Sequence, residues 1–205
     1  MKRLAIFGAS GHGRVVADIA ECCGWQVFFF DDAEPKDGTI LGLPYCGTFE
    51  ALLERKGNFE GAFVGIGNND IRMSKCRSLL EAGYSLPSLL HPSATVSRYA
   101  QIAEGAVIMP GAVVNAGARI GFACIVNTAA SVDHDCVLEA GVHVSPGAHL
   151  AGQVFVGTCS WIGIGAIVRQ QISIGSHAMI AAGAVVVKDV QDATTVIGVP
   201  AIQVR

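Results

Sequence analysis

The feature that most constrains the fold is a six-residue repeat between Val96 and Val186. Every sixth residue across this stretch is Val, Ile or Leu, without exception. The residue four positions after each of these is mostly Ala, Cys or Ser, and glycine often precedes that small residue. A period of six fits neither an amphipathic helix nor an alternating strand, whereas it is typical of a parallel β-helix.

The repeat has a simple geometric interpretation. Each hexapeptide supplies a short strand and a tight corner, with the aliphatic side chain inside and the small residue at the corner. Three hexapeptides close one triangular coil, so equivalent aliphatic residues of successive coils stack into a continuous core. One such column is Val96, Val114, Val132, Leu150, Val168 and Val186. The alternative, a β-sandwich, requires alternating strands and more widely spaced turns, and neither pattern is present.

The chain before the repeat begins with a strand, a glycine-rich turn and a helix. The strand is predicted at residues 3–7, the turn at residues 8–13 and the helix at residues 14–23. Such a turn presents backbone N–H groups to an anion. A second strand, residues 27–30, ends in Asp31-Asp32, whose carboxylates can accept hydrogen bonds from ribose hydroxyl groups. Tight packing of the helix on the strand is the alternative explanation of the glycines.

Strands and helices continue to alternate up to residue 90. Strands are predicted at residues 62–66 and 85–90, and helices at residues 48–56 and 70–82, the last with Ile71, Cys76, Leu79 and Leu80 facing inward. This alternation predicts a Rossmann-like α/β domain over residues 1–90 that binds a nucleotide at the carboxyl ends of its strands. The β-helix domain is predicted over residues 91–205, because Pro92 disfavours helix at His91. The tail after Val186 is expected to cap its open end.

Composition excludes several classes of function. Only 15% of residues are charged and the net charge is −3, so we expect no nucleic-acid partner. No apolar run approaches the length of a membrane-spanning helix, and the apolar N-terminal segment is too short for a signal peptide. The seven cysteines include no Cys-x-x-Cys pair, which is typical of reduced thiols in a cytoplasmic protein.

The densest polar cluster within the repeat is Asp133-His134-Asp135. Val132 is predicted to point inward, so His134 falls at an outer position between two carboxylates. Carboxylates can fix the imidazole tautomer and raise its basicity, which a general base near neutral pH requires. A surface histidine that is merely hydrogen-bonded to its neighbours is the other interpretation.

Three further histidines in the repeat raise the alternative of a metal site. They are His143, His149 and His177. Trimeric β-helix carbonic anhydrases hold zinc with three histidines, but the spacing of these residues from one another and from His134 does not reproduce that ligand set. We therefore predict no metal.

Several motifs together resemble those of the left-handed β-helix sugar acetyltransferases. They are Gly-Ala-Ser-Gly-His-Gly at residues 8–13, Phe-Asp-Asp at 30–32, Gly-Ile-Gly-Asn-Asn-Asp-Ile-Arg at 65–72, His-Pro-Ser-Ala at 91–94, Asn127-Thr128, Val-Asp-His-Asp-Cys at 132–136, His-Val-Ser-Pro-Gly-Ala-His-Leu-Ala-Gly at 143–152 and Gly-Val-Pro-Ala at 198–201. More narrowly, the chain resembles the branch that contains the bacillosamine and perosamine N-acetyltransferases and the sialic-acid O-acetyltransferases. The resemblance covers nearly the whole chain.

This resemblance implies a left-handed β-helix, a homotrimer and active sites between neighbouring prisms. Acetyl-CoA would lie in the groove between subunits, and the N-terminal domain would hold a nucleotide-linked amino sugar. At matching positions, His134 is the general base and Asp135 the carboxylate that polarises it. Cofactor contacts are implied for His143, Ile164 and Ala182, and substrate contacts for Ser10, Gly11, His12, Asp31, Asp32 and Gly67. The chain departs from the family at Asp135, where the amino-sugar branch often has Glu, and at Ile202, where Lys is common.

The predicted reaction is direct transfer of the acetyl group from acetyl-CoA to the amine of a UDP-4-amino-4,6-dideoxy sugar of the bacillosamine type. His134 would act as base, and backbone N–H groups would stabilise the oxyanion. GDP-perosamine is the alternative acceptor of the same kind. A sugar O-acetyltransferase of the sialic-acid type would use the same histidine. A non-enzymatic β-helix scaffold would need neither His134 nor Asp135.

Overall fold

The computed structural model of the protein describes residues 2–204. The chain forms two compact units, one ending at His91 and the other beginning at Pro92. None of the helices within the described residues combines the length and the apolar character that crossing a bilayer requires.

The first unit is a small α/β domain. Its strands are β1 (Lys2–Phe7), β2 (Trp25–Phe30), β3 (Thr39–Ile40), β4 (Leu43–Pro44), β5 (Gly61–Val64) and β6 (Leu89–Leu90), and its helices are α1 (Gly11–Cys22), α2 (Phe49–Glu54) and α3 (Asn69–Glu81), with a 3-10 turn at Lys56–Asn58. A parallel sheet in the order β2-β1-β5 forms the centre, and β3 pairs with β4 in an antiparallel hairpin. The Rossmann-like parallel sheet predicted from the alternation is therefore confirmed.

Three glycines let helix α1 approach the sheet closely. A Cβ atom on Gly13 would overlap the carbonyl oxygen of Gly8, and a Cβ atom on Gly65 would lie 2.7 Å from the Cα atom of Gly13. Neither approach is possible for a residue with a side chain. Tight packing therefore explains these three glycines. A Cβ atom on Gly11 or Gly67 would meet nothing within 4 Å, so these two glycines need another explanation.

Helix α3 buries only part of the face that was predicted to be inside. Ile71 and Leu80 were expected inside, yet they are 49% and 39% exposed. Cys76 and Leu79 are buried as predicted, and Arg72 and Met73 are buried in place of the other two. The helix begins at Asn69, because the side chain of Asn68 accepts a hydrogen bond from the N–H of Ile71 at 3.0 Å. Strand β5 ends at Val64, which leaves Gly65, Ile66 and Gly67 in the loop before the helix.

The second unit is a β-helix with three faces. Face 1 consists of Thr95–Val96, Val113–Val114, Ser131–Val132, His149–Leu150, Ile167–Val168 and Val185–Val186; face 2 consists of Gln101–Ile102, Arg119–Ile120, Val137–Leu138, Phe155–Val156 and Ser173–Ile174; face 3 contains Val107–Ile108, Ile125–Val126, His143–Val144, Trp161–Ile162, Met179–Ile180, Thr195–Ile197 and Ile202–Gln203. Strands of successive coils pair in parallel, and Val114 is in register with Val96 and Val132 as the repeat predicts. The parallel β-helix predicted from the repeat is thus confirmed.

The interior of the coils is the predicted aliphatic ladder. Every sixth residue from Ile108 to Val186 is buried, and only Val96 and Ile102, at the beginning of the ladder, are half-buried. After the repeat ends, Thr195–Ile197 pairs in parallel with Met179–Ile180 and antiparallel with Ile202–Gln203. The tail thus extends face 3 beyond the last coil.

The corners share one backbone conformation. The residue three positions after each inward-facing residue from Ile102 to Ile180 has φ between +54° and +77°; these residues are Gly105, Gly111, Gly117, Ala123, Ala129, Asp135, Gly141, Gly147, Gln153, Cys159, Gly165, Gln171, His177 and Gly183. This left-handed conformation is costly for most residues and free for glycine, which explains why glycine so often precedes the small residue. Asp135 is one of the residues that adopt it without being glycine.

Where the small corner residue is Cys or Ser, its side chain donates to the next coil. Cys124 Sγ lies 3.0 Å from the carbonyl oxygen of Glu139, Cys136 Sγ lies 3.1 Å from that of Ala151, and Ser160 Oγ lies 2.6 Å from that of Gly175. These residues therefore stabilise the stacking of coils, and burial raises the pKa of the Cys136 thiol.

Candidate active site

The histidine–carboxylate pair predicted from the repeat lies on an exposed corner. Residues 133–136 follow the face 1 strand Ser131–Val132, and Val132 is fully buried in the core. His134 Nδ1 lies 2.9 Å from Asp135 Oδ2, and the two side chains are 57% and 59% exposed. Because a carboxylate can only accept, Nδ1 carries the proton and Nε2 of the neutral imidazole is a proton acceptor.

A second carboxylate holds the backbone of this corner. Asp133 Oδ1 accepts from the N–H of His134 at 2.7 Å and from Asn115 Nδ2 at 2.9 Å. These hydrogen bonds lower the pKa of Asp133. The hydrogen bond to Asp135, helped by the charges of both carboxylates, raises the pKa of His134 above its ordinary value of 6.5. The corner thus holds an imidazole of increased basicity.

Two glycines one coil away make room for this pair. A Cβ atom on Gly152 would overlap the imidazole of His134, with Cε1 at 2.6 Å. A Cβ atom on Gly117 would overlap the carboxylate of Asp135. Neither glycine was predicted as a site residue. The repeat could have identified both glycines, because Gly152 lies one coil after His134 and Gly117 lies one coil before Asp135.

His143 is held by two neighbours on face 3. It is 4% exposed, its ring centroid lies 4.1 Å from that of Trp161, and its Nε2 lies 3.1 Å from Asn127 Nδ2. The Asn127 side-chain oxygen accepts from the N–H of Thr128 at 2.8 Å, so its amide nitrogen faces His143. Because that nitrogen can only donate, Nε2 of His143 accepts and the neutral ring carries its proton on Nδ1. Trp161 and the role of Asn127 were not predicted.

His134 and His143 lie on opposite sides of the prism within one chain. His134 is in the corner between face 1 and face 2, whereas His143 points outward from face 3, since Val144 beside it is in the core. In a triangular coil, the corner between two faces is opposite the third face. A single chain therefore does not bring these two predicted site residues together.

Ile164 and Ala182 occupy equivalent positions in successive coils. Both are exposed in the corner that follows face 3, and Ile164 is 62% exposed. The carbonyl oxygen of Ile164 accepts from the N–H of Gly183 at 2.8 Å, which ties the two corners together. They lie on the same side of the prism as His143.

The predicted substrate residues lie where strands of the first unit end. Ser10 is the N-cap of α1, its side chain makes no capping hydrogen bond, and the first turn has no acidic residue. The helix begins at Gly11, beside which the space is open. A helix start of this kind favours a negatively charged group. Gly67, after β5, is open in the same way.

Asp31 and Asp32, after β2, accept hydrogen bonds from three backbone N–H groups. Asp31 Oδ2 accepts from Ala9 at 2.7 Å and Asp31 Oδ1 from Ala33 at 2.8 Å, while Asp32 Oδ1 accepts from Phe49 at 3.1 Å. These carboxylates therefore shape the glycine-rich turn and the start of α2. Each carboxylate oxygen has two lone pairs, so capacity for ligand hydroxyl groups remains.

His12 is neutral over the physiological range. Burial, with the charge of Arg72 as the second cause, lowers the pKa of His12 from 6.5 to about 4. The residue can therefore donate or accept a hydrogen bond in this loop without bringing a charge.

Known proteins with this combination of folds include sugar N-acetyltransferases. The family described as PglD N-terminal domain matches residues 3–79. GDP-perosamine N-acetyltransferase of Escherichia coli O157:H7 is 30% identical over 182 residues, which cover 84% of this chain and 80% of that protein. UDP-N-acetylbacillosamine N-acetyltransferase of Bacillus subtilis (strain 168) is 37% identical over 115 residues, 53% of this chain and 52% of that protein.

Two solved structures superpose on nearly the whole chain. The acetyltransferase domain of PglB from Neisseria gonorrhoeae FA1090, in complex with acetyl coenzyme A, has a TM-score of 0.96 and 45% identity over 99% of both chains. PerB from Caulobacter crescentus, in complex with CoA and GDP-perosamine, has a TM-score of 0.94 and 38% identity, covering 100% of this chain and 98% of that chain.

The fold and the superposed relatives place the chain in one class of protein, the left-handed β-helix acyltransferases. Within that class, the chain belongs to the sugar N-acetyltransferase family that includes the perosamine and bacillosamine enzymes. The resemblance seen in the sequence motifs is therefore confirmed.

Proposed function

We propose that this protein transfers the acetyl group of acetyl-CoA to the amine of a nucleotide-linked 4-amino-4,6-dideoxy sugar, with His134 as general base. The observation that carries the proposal is the hydrogen bond from His134 Nδ1 to Asp135 on an exposed corner, which leaves Nε2 as proton acceptor. The relatives support the substrates, since the PglB domain binds acetyl coenzyme A and PerB binds CoA and GDP-perosamine.

The chemistry needs no covalent intermediate on the protein. The sugar amine attacks the thioester carbonyl carbon, a C–N bond forms and the C–S bond breaks. His134 Nε2 takes a proton from the amine, and the resulting imidazolium gives this proton to the departing sulfur, so that coenzyme A leaves as the thiol. Asp135 stabilises the imidazolium that forms in this step, as its effect on the pKa of His134 indicates. The products are an N-acetylated sugar nucleotide and coenzyme A.

Acetyl-CoA would bind between chains of a homotrimer. His134 lies on one side of the prism, and the proposed cofactor residues His143, Ile164 and Ala182 lie on the other. One bound coenzyme can contact both sets only if they come from different chains packed side by side. A closed ring of three identical prisms provides three such clefts by symmetry.

The first unit would hold the nucleotide. The diphosphate fits the start of α1 at Ser10, Gly11 and His12, because the N–H groups and the dipole at a helix start favour anions. Asp31 and Asp32 would accept from ribose hydroxyl groups, and Gly67 lets the ligand approach the backbone. A UDP-linked sugar of the bacillosamine type is our first candidate. GDP-perosamine is the second, supported by the relative that matches 84% of this chain. The expected cytoplasmic location stays a prediction.

Coenzyme release detected with a thiol reagent tests the proposal. UDP-, GDP- and dTDP-linked 4-amino sugars and free sialic acid would be compared as acceptors, with His134→Ala as the matched variant. We expect release with one nucleotide amino sugar and a fall in turnover of about 10²- to 10⁴-fold in the variant, with acetyl-CoA binding retained. Release with sialic acid alone would establish an O-acetyltransferase, and no release with any acceptor would refute the proposal.

A further inference from the structure

Arg72 is a buried arginine whose side chain turns back onto the loop before its own helix. It is 1% exposed and lies in the first turn of α3. Its Nη1 donates to the carbonyl oxygen of Ile66 at 3.1 Å and to that of Gly67 at 2.8 Å, and its Nη2 donates to Asn69 Oδ1 at 2.8 Å. One rigid guanidinium group therefore binds two consecutive peptide carbonyls and the side chain of Asn69.

Burying a charged group is costly, so such a residue needs a reason. An apolar side chain would fill this position in the helix at lower cost, as Met73, Cys76 and Leu79 do on the same face. What an apolar side chain lacks is the donor group, here Nη1, that holds two carbonyls at once while Nη2 of the same planar guanidinium binds Asn69. The orientation of the 65–68 loop is thus the property that Arg72 provides.

The orientation of the carbonyls determines that of the amide groups. In a trans peptide the C=O and the following N–H point in opposite directions across the same plane. The carbonyls of Ile66 and Gly67 point towards the guanidinium, so the N–H groups of Gly67 and Asn68 point away from it. Among residues 2–204, no backbone carbonyl accepts from either N–H group. Gly67 is also open on its Cβ side.

We propose that Arg72 is a positioning residue that aims the N–H groups of Gly67 and Asn68 at the nucleotide part of the substrate. The inference rests on the proposed function, in which this loop borders the nucleotide site. Arg72 does not contact the ligand in this scheme. It acts through two peptide planes, which would otherwise be free to rotate about the glycine.

The test measures binding of the free nucleotides UDP, GDP and dTDP by calorimetry, together with acetyl-CoA binding, in the full chain. Arg72→Met removes the donors, and Arg72→Lys keeps the charge without the planar guanidinium group and its second nitrogen. Arg77→Met is the matched control, because Arg77 is exposed on the same helix. We expect Arg72→Met to weaken nucleotide binding at least about tenfold, Arg72→Lys to recover part of it, and acetyl-CoA binding to stay unchanged. Arg77→Met should bind like the wild type.

Two outcomes would overturn the inference. One is a folded Arg72→Lys protein, verified by its melting temperature, with unchanged nucleotide affinity or with equal losses for nucleotide and acetyl-CoA. The other is a wild-type protein that binds none of the three nucleotides. If Arg72→Met does not fold, amide hydrogen exchange in Arg72→Lys decides, because the 65–69 segment should exchange faster while β1 does not. A wild type that binds a nucleotide but acetylates no sugar would refute the proposed function. The nucleotide affinities of the Arg72 variants would then still decide this inference.

Discussion

The imidazole of His134 lies directly against Gly152, the residue that occupies the same position one coil later. A side chain at residue 152 would overlap the ring, and the backbone there does not need glycine, because φ of Gly152 is outside the left-handed region. The glycine is therefore explained by the space that the imidazole occupies, and the stacking of coils contributes to the geometry of the proposed base.

Replacing Gly152 with Ala should displace His134 and lower kcat. A displacement of about 1 Å at a catalytic group can reduce the rate by up to about 10²-fold. Turnover would be measured in the single variants and in the double variant His134→Ala/Gly152→Ala. We expect Gly152→Ala to add no further loss when His134 is absent. Equal losses in both backgrounds would show that residue 152 acts elsewhere.

The pH dependence of kcat/KM should follow the raised pKa of His134. The neutral imidazole is the active form, and Asp135 favours the protonated form. Activity should therefore rise with pH through a midpoint above 6.5 and be lost as the pH falls through it. Asp135→Asn removes the anion, and asparagine tolerates the left-handed conformation of this residue. The variant's midpoint should move to lower pH; an unmoved midpoint would assign the titration to another group.

Gly11 and Gly13 should respond to alanine in opposite ways. Gly13→Ala would force α1 away from Gly8 and is expected to destabilise the domain by about 1–3 kcal/mol or more, visible as a lower urea midpoint. Gly11→Ala has open space, so its stability should match or exceed that of the wild type. Its KM for the sugar nucleotide should nevertheless rise, because the new methyl group stands where the ligand is proposed to bind. Unchanged KM in Gly11→Ala would place the ligand elsewhere.

The stability of the protein should depend on His12 below neutral pH. The pKa of His12 is about 4 in the folded state against 6.5 as its ordinary value, so between these values the unfolded state binds more protons. Folding stability should therefore rise with pH across this window, by about 3 kcal/mol in total from this residue. Urea unfolding at several pH values would measure it. His12→Asn should flatten the slope, and an identical slope in the variant would show that His12 does not remain neutral on folding.

The β-helix could be predicted almost completely from the sequence, because every coil has to meet the same physical requirements. Each inward position must be apolar, and each corner must accept a left-handed residue or a small one. The left-handed corners at Asp135, Gln153 and His177 were not evident, since glycine marks only some of these positions. Coil stacking enforces the conformation there, regardless of local preference.

The error in α3 has a local cause. Ile71 and Arg72 are adjacent in the helix. Turning the helix about its axis by the angle between consecutive residues therefore decides which of the two faces inward. Hydrophobicity favours Ile71, yet the carbonyls of Ile66 and Gly67 accept from Arg72 and reverse the choice. Similarly, the pairing of His134 with Asp135 was predictable because they are neighbours in the chain. The supports from Asn115, Gly117 and Gly152 are visible only when residues are compared one coil apart.

The placement of His134 and His143 on opposite sides of one prism has a genetic consequence. In the proposed ring, each chain gives His134 to one cleft and His143 to the next, so two inactive variants can complement each other. Trimers reassembled from equal amounts of His134→Ala and His143→Ala chains would have both histidines in about a quarter of their clefts. Two alleles that each abolish acetylation would then restore it when expressed together in one cell.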